Sequence, residues 1–221
     1  MDAIPQPIVM KDGIAGLWLA PPEPRAALVL AHGAGVGMTH RSMAAIAEGL
    51  AARGVASLRF NFPYMQHGSR RPDPPRIAHA AARAAVAEAA RRALGLPLFA
   101  GGRSFGGRMT SQAQAIAPLP EVRGLVFFAF PLHPAGKPGD ERAEHLGDVK
   151  IPMLFLQGAR DQLARLDLLQ GVIKRLGGSA TLTLLEDADH SFHVPAKSGL
   201  NDADVLAQAL DAARDWMLAK T

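Results

Sequence analysis

The chain has 221 residues, is 48% hydrophobic and 20% charged, contains no cysteine, and carries a formal net charge of +4. That length buries the core of one domain, expected to run over residues 1–221, without covalent staples. The missing thiol excludes disulfides, thiolate metal sites and a cysteine nucleophile.

Short Leu-, Val- and Phe-rich runs alternate with longer Ala-rich stretches of helical period, the pattern of βα units on a mostly parallel sheet. In chain order, strands are predicted at Ile14–Ala20, Ala26–His32, Val55–Asn61, Pro97–Gly102, Gly124–Phe130, Pro152–Gln157 and Ala180–Glu186. Helices are predicted at His40–Arg53, Arg76–Leu94, Phe105–Ala117, Leu166–Leu176 and Asp202–Lys220. The first strand precedes the first βα turn and is expected at an antiparallel edge. Leu98-Phe99-Ala100 and Leu125-Val126-Phe127-Phe128 are continuous apolar runs, as strands covered on both faces require. Two Pro- and Gly-rich loops, Pro63–Pro75 and Pro131–Gly139, follow predicted strands. They fall at the strand C-terminal edge, where open α/β sheets hold ligands.

The pI near 9.8 raises the question of nucleic acid, yet the basic residues are scattered from Arg25 to Arg214 with acids between them. Aromatics make up only 5% and do not interleave with the arginines, so a solvated basic surface is the simpler reading and no nucleic-acid partner is expected. No apolar run reaches the roughly 18–20 residues that span a bilayer. The N-terminal Met-Asp-Ala-Ile-Pro-Gln-Pro lacks the regions of a secretory signal. A cytoplasmic protein without a membrane partner is the expectation; oligomeric state is left open.

The sharpest motif is Gly102-Arg103-Ser104-Phe105-Gly106, a G-x-S-x-G sequence between a buried strand and a helix. Such a turn forces the serine into a strained backbone and needs glycine at its crowded flanks. A merely structural turn with Ser104 as an N-cap would look similar, so the rest of the chain must decide. A nucleophilic serine needs a base, and the base needs an acid to hold its tautomer. Asp161 and His190 each lie just past a predicted strand end, in the order Ser, Asp, His. Asp167 rivals Asp161 but lies inside a helical pattern; His193 rivals His190 but lies farther from the strand end.

Taken together these residues resemble an α/β-hydrolase of the dienelactone-hydrolase-like kind. More narrowly, Arg59-Phe60-Asn61-Phe62-Pro63-Tyr64, Gly101–Arg108 and Phe130-Pro131-Leu132-His133-Pro134 resemble a bacterial hydrolase family related to animal testis-expressed and chromatin-complex subunits. The resemblance implies an α/β fold with about seven strands, helices on both faces and no large cap domain. It implies Ser104 as nucleophile, His190 as base and Asp161 as acid, with no cofactor. True dienelactone hydrolases carry Cys where this chain has Ser104, which sets that substrate aside. The oxyanion hole would be the N–H of Phe105 and, by the resemblance, that of Ala34, with Gly35 next.

The same Gly33, Gly35, Gly37 turn fails the dinucleotide spacing, because Met38 stands at the third glycine and no acid follows the second strand. A metal site has no ligand set at usable spacing beyond His190 and His193. Arg59, Arg103 and Arg160 fall near strand ends, either to bind a substrate anion or to orient loops through ion pairs. Phe62, Tyr64, Met65 and His133 are expected along the cleft. The activity expected is hydrolysis of a small or medium carboxylic ester or thioester. A non-catalytic interaction protein and an acyltransferase are the alternatives.

Overall fold

The computed structural model describes residues 3–221. Eight strands form one sheet: β1 (Gln6–Val9), β2 (Ala15–Leu19), β3 (Ala26–Ala31), β4 (Val55–Phe60), β5 (Leu98–Arg103), β6 (Val122–Phe128), β7 (Met153–Gly158) and β8 (Ala180–Leu185). Their order is β1-β2-β4-β3-β5-β6-β7-β8; β1 and β2 run antiparallel and the rest are parallel. Helices are α1 (Arg41–Ala51), α2 (Pro63–Gln66), α3 (Pro75–Ala93), α4 (Phe105–Ile116), α5 (Leu166–Leu176) and α6 (Asp202–Leu218).

The continuous apolar strands explain the layering. Along β3, Ala27, Val29 and Ala31 join one core cluster while Ala26, Leu28 and Leu30 join the other. The same alternation splits Leu125 and Phe127 from Val126 and Phe128. On the first face lie α3, α4 and α5, through Ala82, Ala85, Met109, Ala113, Leu169 and Val172. On the second lie α1 and α6, through Met43, Ile46, Leu50, Val205 and Ala209. The central strands β3 to β7 are therefore buried on both sides, as predicted for residues 98–100 and 125–128, whereas the edge strand β8 is only partly buried.

Two features differ from the sequence reading. Ile14–Ala20 does contain an antiparallel strand, but β1 pairs outside it and takes the edge, giving eight strands rather than seven. Only four residues long and containing Pro7, β1 lacks the hydrophobic signal of a strand. Within the expected loop Pro63–Pro75, residues Pro63–Gln66 close one helical turn, with proline at its favoured first position. Each other predicted strand and helix has its counterpart. No described helix is long and apolar enough to cross a membrane.

Candidate active site

The β5–α4 junction carries the most constrained backbone. Ser104 has φ 50° and ψ −117°, a region L-residues avoid, at a cost of about 1–3 kcal/mol. Its N–H donates to the Phe128 carbonyl (3.0 Å), and its own carbonyl accepts the Arg108 N–H (3.1 Å), so sheet and helix both clamp the turn. A Cβ on Gly106 would strike the carbonyl oxygens of Ala31 and His32. The absent side chain thus lets α4 start hard against the end of β3.

From β3 the chain enters the turn of Gly33 and Ala34, where a Cβ on Gly33 would sit 3.8 Å from that of Ser104. His32 fastens this turn. Its Nδ1 lies 2.8 Å from the Gly33 carbonyl and its Nε2 accepts the Phe62 N–H at 3.0 Å. Burial lowers its pKa to about 4, keeping it neutral and able to accept. The N–H groups of Ala34 and Phe105 donate to no backbone or side-chain acceptor among the described residues. That of Phe105 opens α4, where helix geometry leaves it free.

At the ends of β7 and β8 the loops are stitched together. Ala159 and Arg160 donate their N–H groups to Leu185 (3.0 Å) and Ala188 (2.9 Å). A Cβ on Gly158 would collide with the carbonyls of Ala188 and Asp189, so glycine permits this approach. It brings Asp161 to His190: Asp161 Oδ2 lies 2.7 Å from His190 Nδ1, and His190 Nε2 lies 2.9 Å from Ser104 Oγ. The Asp161 side chain is fully shielded from solvent, while that of His190 is 22% exposed. Asp161 also accepts Gln157 Nε2 at 2.5 Å and the Leu163 N–H at 2.7 Å. Four donations to its two oxygens would exhaust a carboxylate; three leave it well satisfied.

Ser104 opens onto a cleft of about 390 Å³ lined also by Ala34, Phe105, Met109, Arg108, Arg142 and Asp73. The structure brings together Ser104, Asp161, His190, Phe105 and Ala34. It places the remaining expected residues elsewhere. Arg59 is 2% exposed and donates to the Met38 carbonyl (3.1 Å), because Leu58 and Phe60 face one core and turn it toward α1. Tyr64, Phe62 and His133 are buried rather than lining the cleft; His133 Nε2 accepts the Arg165 N–H at 3.1 Å. Gly35, at φ +75°, turns the chain beyond Ala34.

Arg103 sits behind His190, donating to its carbonyl (3.3 Å) and to Ser42 Oγ (3.5 Å). Burial pulls its pKa down, and the charges of Asp189 and Asp161 oppose that. The rivals are spoken for at the surface: His193 pairs with Asp202 (3.0 Å) and Asp167 with Arg165 (2.6 Å). Arg108 and Arg142 were missed in the sequence, where nothing marks which arginines lack a carboxylate.

A parallel-rich sheet with a strained serine at a strand-to-helix turn defines an α/β-hydrolase fold without a large cap domain. The chain belongs to the alpha/beta hydrolase domain family, which it matches over residues 24–218. Among solved structures it is similar to a dienelactone hydrolase from Anabaena variabilis, at 19% identity and TM-score 0.78, covering 100% of this chain and 99% of that one. A Thermus thermophilus protein is similar at 26% identity and TM-score 0.67, covering 96% and 99%. A lidless a/b serine hydrolase from Xanthomonas campestris is similar at 20% identity and TM-score 0.69, covering 98% and 95%.

Proposed function

We propose that the protein is a serine hydrolase that cleaves a small or medium carboxylic ester or thioester through an acyl-enzyme. Ser104 Oγ attacks the carbonyl carbon while His190 Nε2 takes its proton. The N–H groups of Phe105 and Ala34 stabilise the tetrahedral oxygen. The leaving alcohol or thiol departs with the proton from His190, and water, activated by the same imidazole, releases the acid and restores Ser104. Asp161 holds the imidazole with Nδ1 protonated, so that Nε2 is the basic nitrogen.

The single observation that carries this reading is the hydrogen-bonded line from Asp161 through His190 to Ser104, ending at the cleft. Membership of the hydrolase family and the similarity to a dienelactone hydrolase support the reaction class. A fluorophosphonate probe is expected to label the wild type covalently and to leave Ser104→Ala unlabelled. A panel of short-chain esters and thioesters should be hydrolysed by the wild type and lose at least about a thousandfold in Ser104→Ala. A folded wild type that takes no label and cleaves none of the panel rejects the reading in favour of an interaction protein.

A further inference from the structure

Arg108 lies one helical turn after Ser104 on α4, and residues four apart share a helix face with Cβ atoms about 5–6 Å apart. Arg142 comes from the segment between β6 and β7 and lines the same cleft. Neither guanidinium forms an ion pair or a side-chain hydrogen bond with any described residue, and Arg108 Nε is buried without a partner. Elsewhere arginines do find carboxylates: Arg53 with Asp211, Arg165 with Asp167, Arg175 with Asp140. Among the described residues the one carboxylate lining the cleft, Asp73, accepts the Tyr64 N–H at 2.8 Å.

Burial pulls both guanidiniums below their usual pKa, and Arg142 lowers that of Arg108 further by like-charge repulsion. His145 adds no charge there. Burial, then the charge of Arg108, lowers its pKa to about 4, and its Nε2 lies 2.8 Å from Ser111 Oγ. Two partly desolvated like charges, neither held in an ion pair, raise the free energy of the empty cleft. An anion between them relieves both costs, and a guanidinium pairs a planar carboxylate or a phosphate in two parallel hydrogen bonds.

We propose that the cleft selects an ester or thioester whose own molecule carries a carboxylate or phosphate, held by Arg108 and Arg142 while Ser104 attacks the carbonyl. This rests on the hydrolase reading above and specifies its substrate class. The sequence candidates for such a role lie off the cleft: Arg59 is buried against the Met38 carbonyl, Arg103 sits behind His190 and Arg160 is at the surface.

The test compares mono-p-nitrophenyl glutarate with p-nitrophenyl valerate, which share chain length and differ in the terminal carboxylate. The wild type is expected to favour the glutarate ester at least tenfold in kcat/KM, chiefly through KM, with the advantage shrinking as salt rises. In Arg108→Met/Arg142→Met the ratio should fall to about one, while Arg108→Lys/Arg142→Lys retains part of it. Arg142→Met alone, in a segment outside the sheet, gives an intermediate ratio and guards against misfolding of the double variant. A wild-type ratio of one or less, or a preference kept in the double variant, overturns the inference and leaves the hydrolase reading intact.

Should the wild type cleave neither ester, calorimetry with glutarate and with inorganic phosphate on Ser104→Ala protein decides. Binding of either anion that disappears when both arginines are replaced upholds the anion site and separates the two sources. No binding of either sinks it.

Discussion

Asp161 gathers three donors, from His190, Gln157 and Leu163, in a spot its side chain shares with no solvent. In the proposed reaction this carboxylate fixes which imidazole nitrogen is basic, so Asp161→Asn keeps the shape and reverses the tautomer. We expect kcat to fall by about three orders of magnitude or more with little change in KM, measured on any ester the wild type cleaves. Arg103 acts one step back, as a positioning residue that holds the His190 carbonyl against α1. Arg103→Met should lower kcat about tenfold more than it changes KM, and Arg103→Lys should recover part of it, since one ammonium still reaches a carbonyl. A purely structural role would instead lower the melting temperature and leave kcat/KM of the folded fraction unchanged. Ser104, Asp161 and His190 were legible in the sequence because each follows an apolar run. Arg59, Tyr64 and His133 also sit near strand ends, but the face to which a side chain turns is set by period-two alternation and by its neighbours. Proximity to a strand end could not reveal that they point into packing rather than into the cleft.

At the scale of elements, the β5–α4 turn depends on how closely helix and sheet approach. Gly106→Val would push a branched side chain into the Ala31 and His32 carbonyls, so α4 must retreat. A loss of about 1–3 kcal/mol is expected from urea unfolding, together with slower fluorophosphonate labelling as the Phe105 N–H moves. Unchanged labelling in a destabilised variant would mean that the turn tolerates the shift. The central parallel strands could be read from composition, since burial on both faces makes their sequences mostly apolar, with few exceptions such as Ser57, Arg59 and Gln157. β1 could not, because at four residues with a proline its pairing is dictated by β2 rather than by its own propensity. α2 was hidden for a related reason: a proline that looks like a loop marker is equally at home at the first position of a helix.

For the whole molecule, α6 closes the second core. Trp216 packs on Phe99 (ring centroids 5.9 Å) and over Gly124, and its indole N–H donates to Thr181 (3.2 Å), so one side chain ties the last helix to β5, β6 and β8. Trp216→Ala should cost about 3–5 kcal/mol in chemical denaturation. His32 makes stability depend on pH. Its folded pKa of about 4 lies below the unfolded value of 6.5, so the unfolded chain binds the proton first as pH falls. Stability is full above about pH 6.5 and declines below it, by about 3 kcal/mol from this group at pH 4. Urea midpoints between pH 7 and pH 4 should show that decline, and its slope should shrink in a His32→Gln variant.

The site also has an address in time. Ser104 and His190 stand 86 positions apart along the chain, and His190 and Asp161 stand 29 apart. No local segment can bring them together: the acid and base need β7 beside β8, and the serine needs β5 beside β3, whose register joins Ala27 to Leu98, the kind of distant pairing that slows folding. A chain captured midway would hold its elbow without its base. In a refolding experiment, reactivity toward the fluorophosphonate probe should therefore return with the slowest structural phase, alongside burial of Trp216, and never ahead of it.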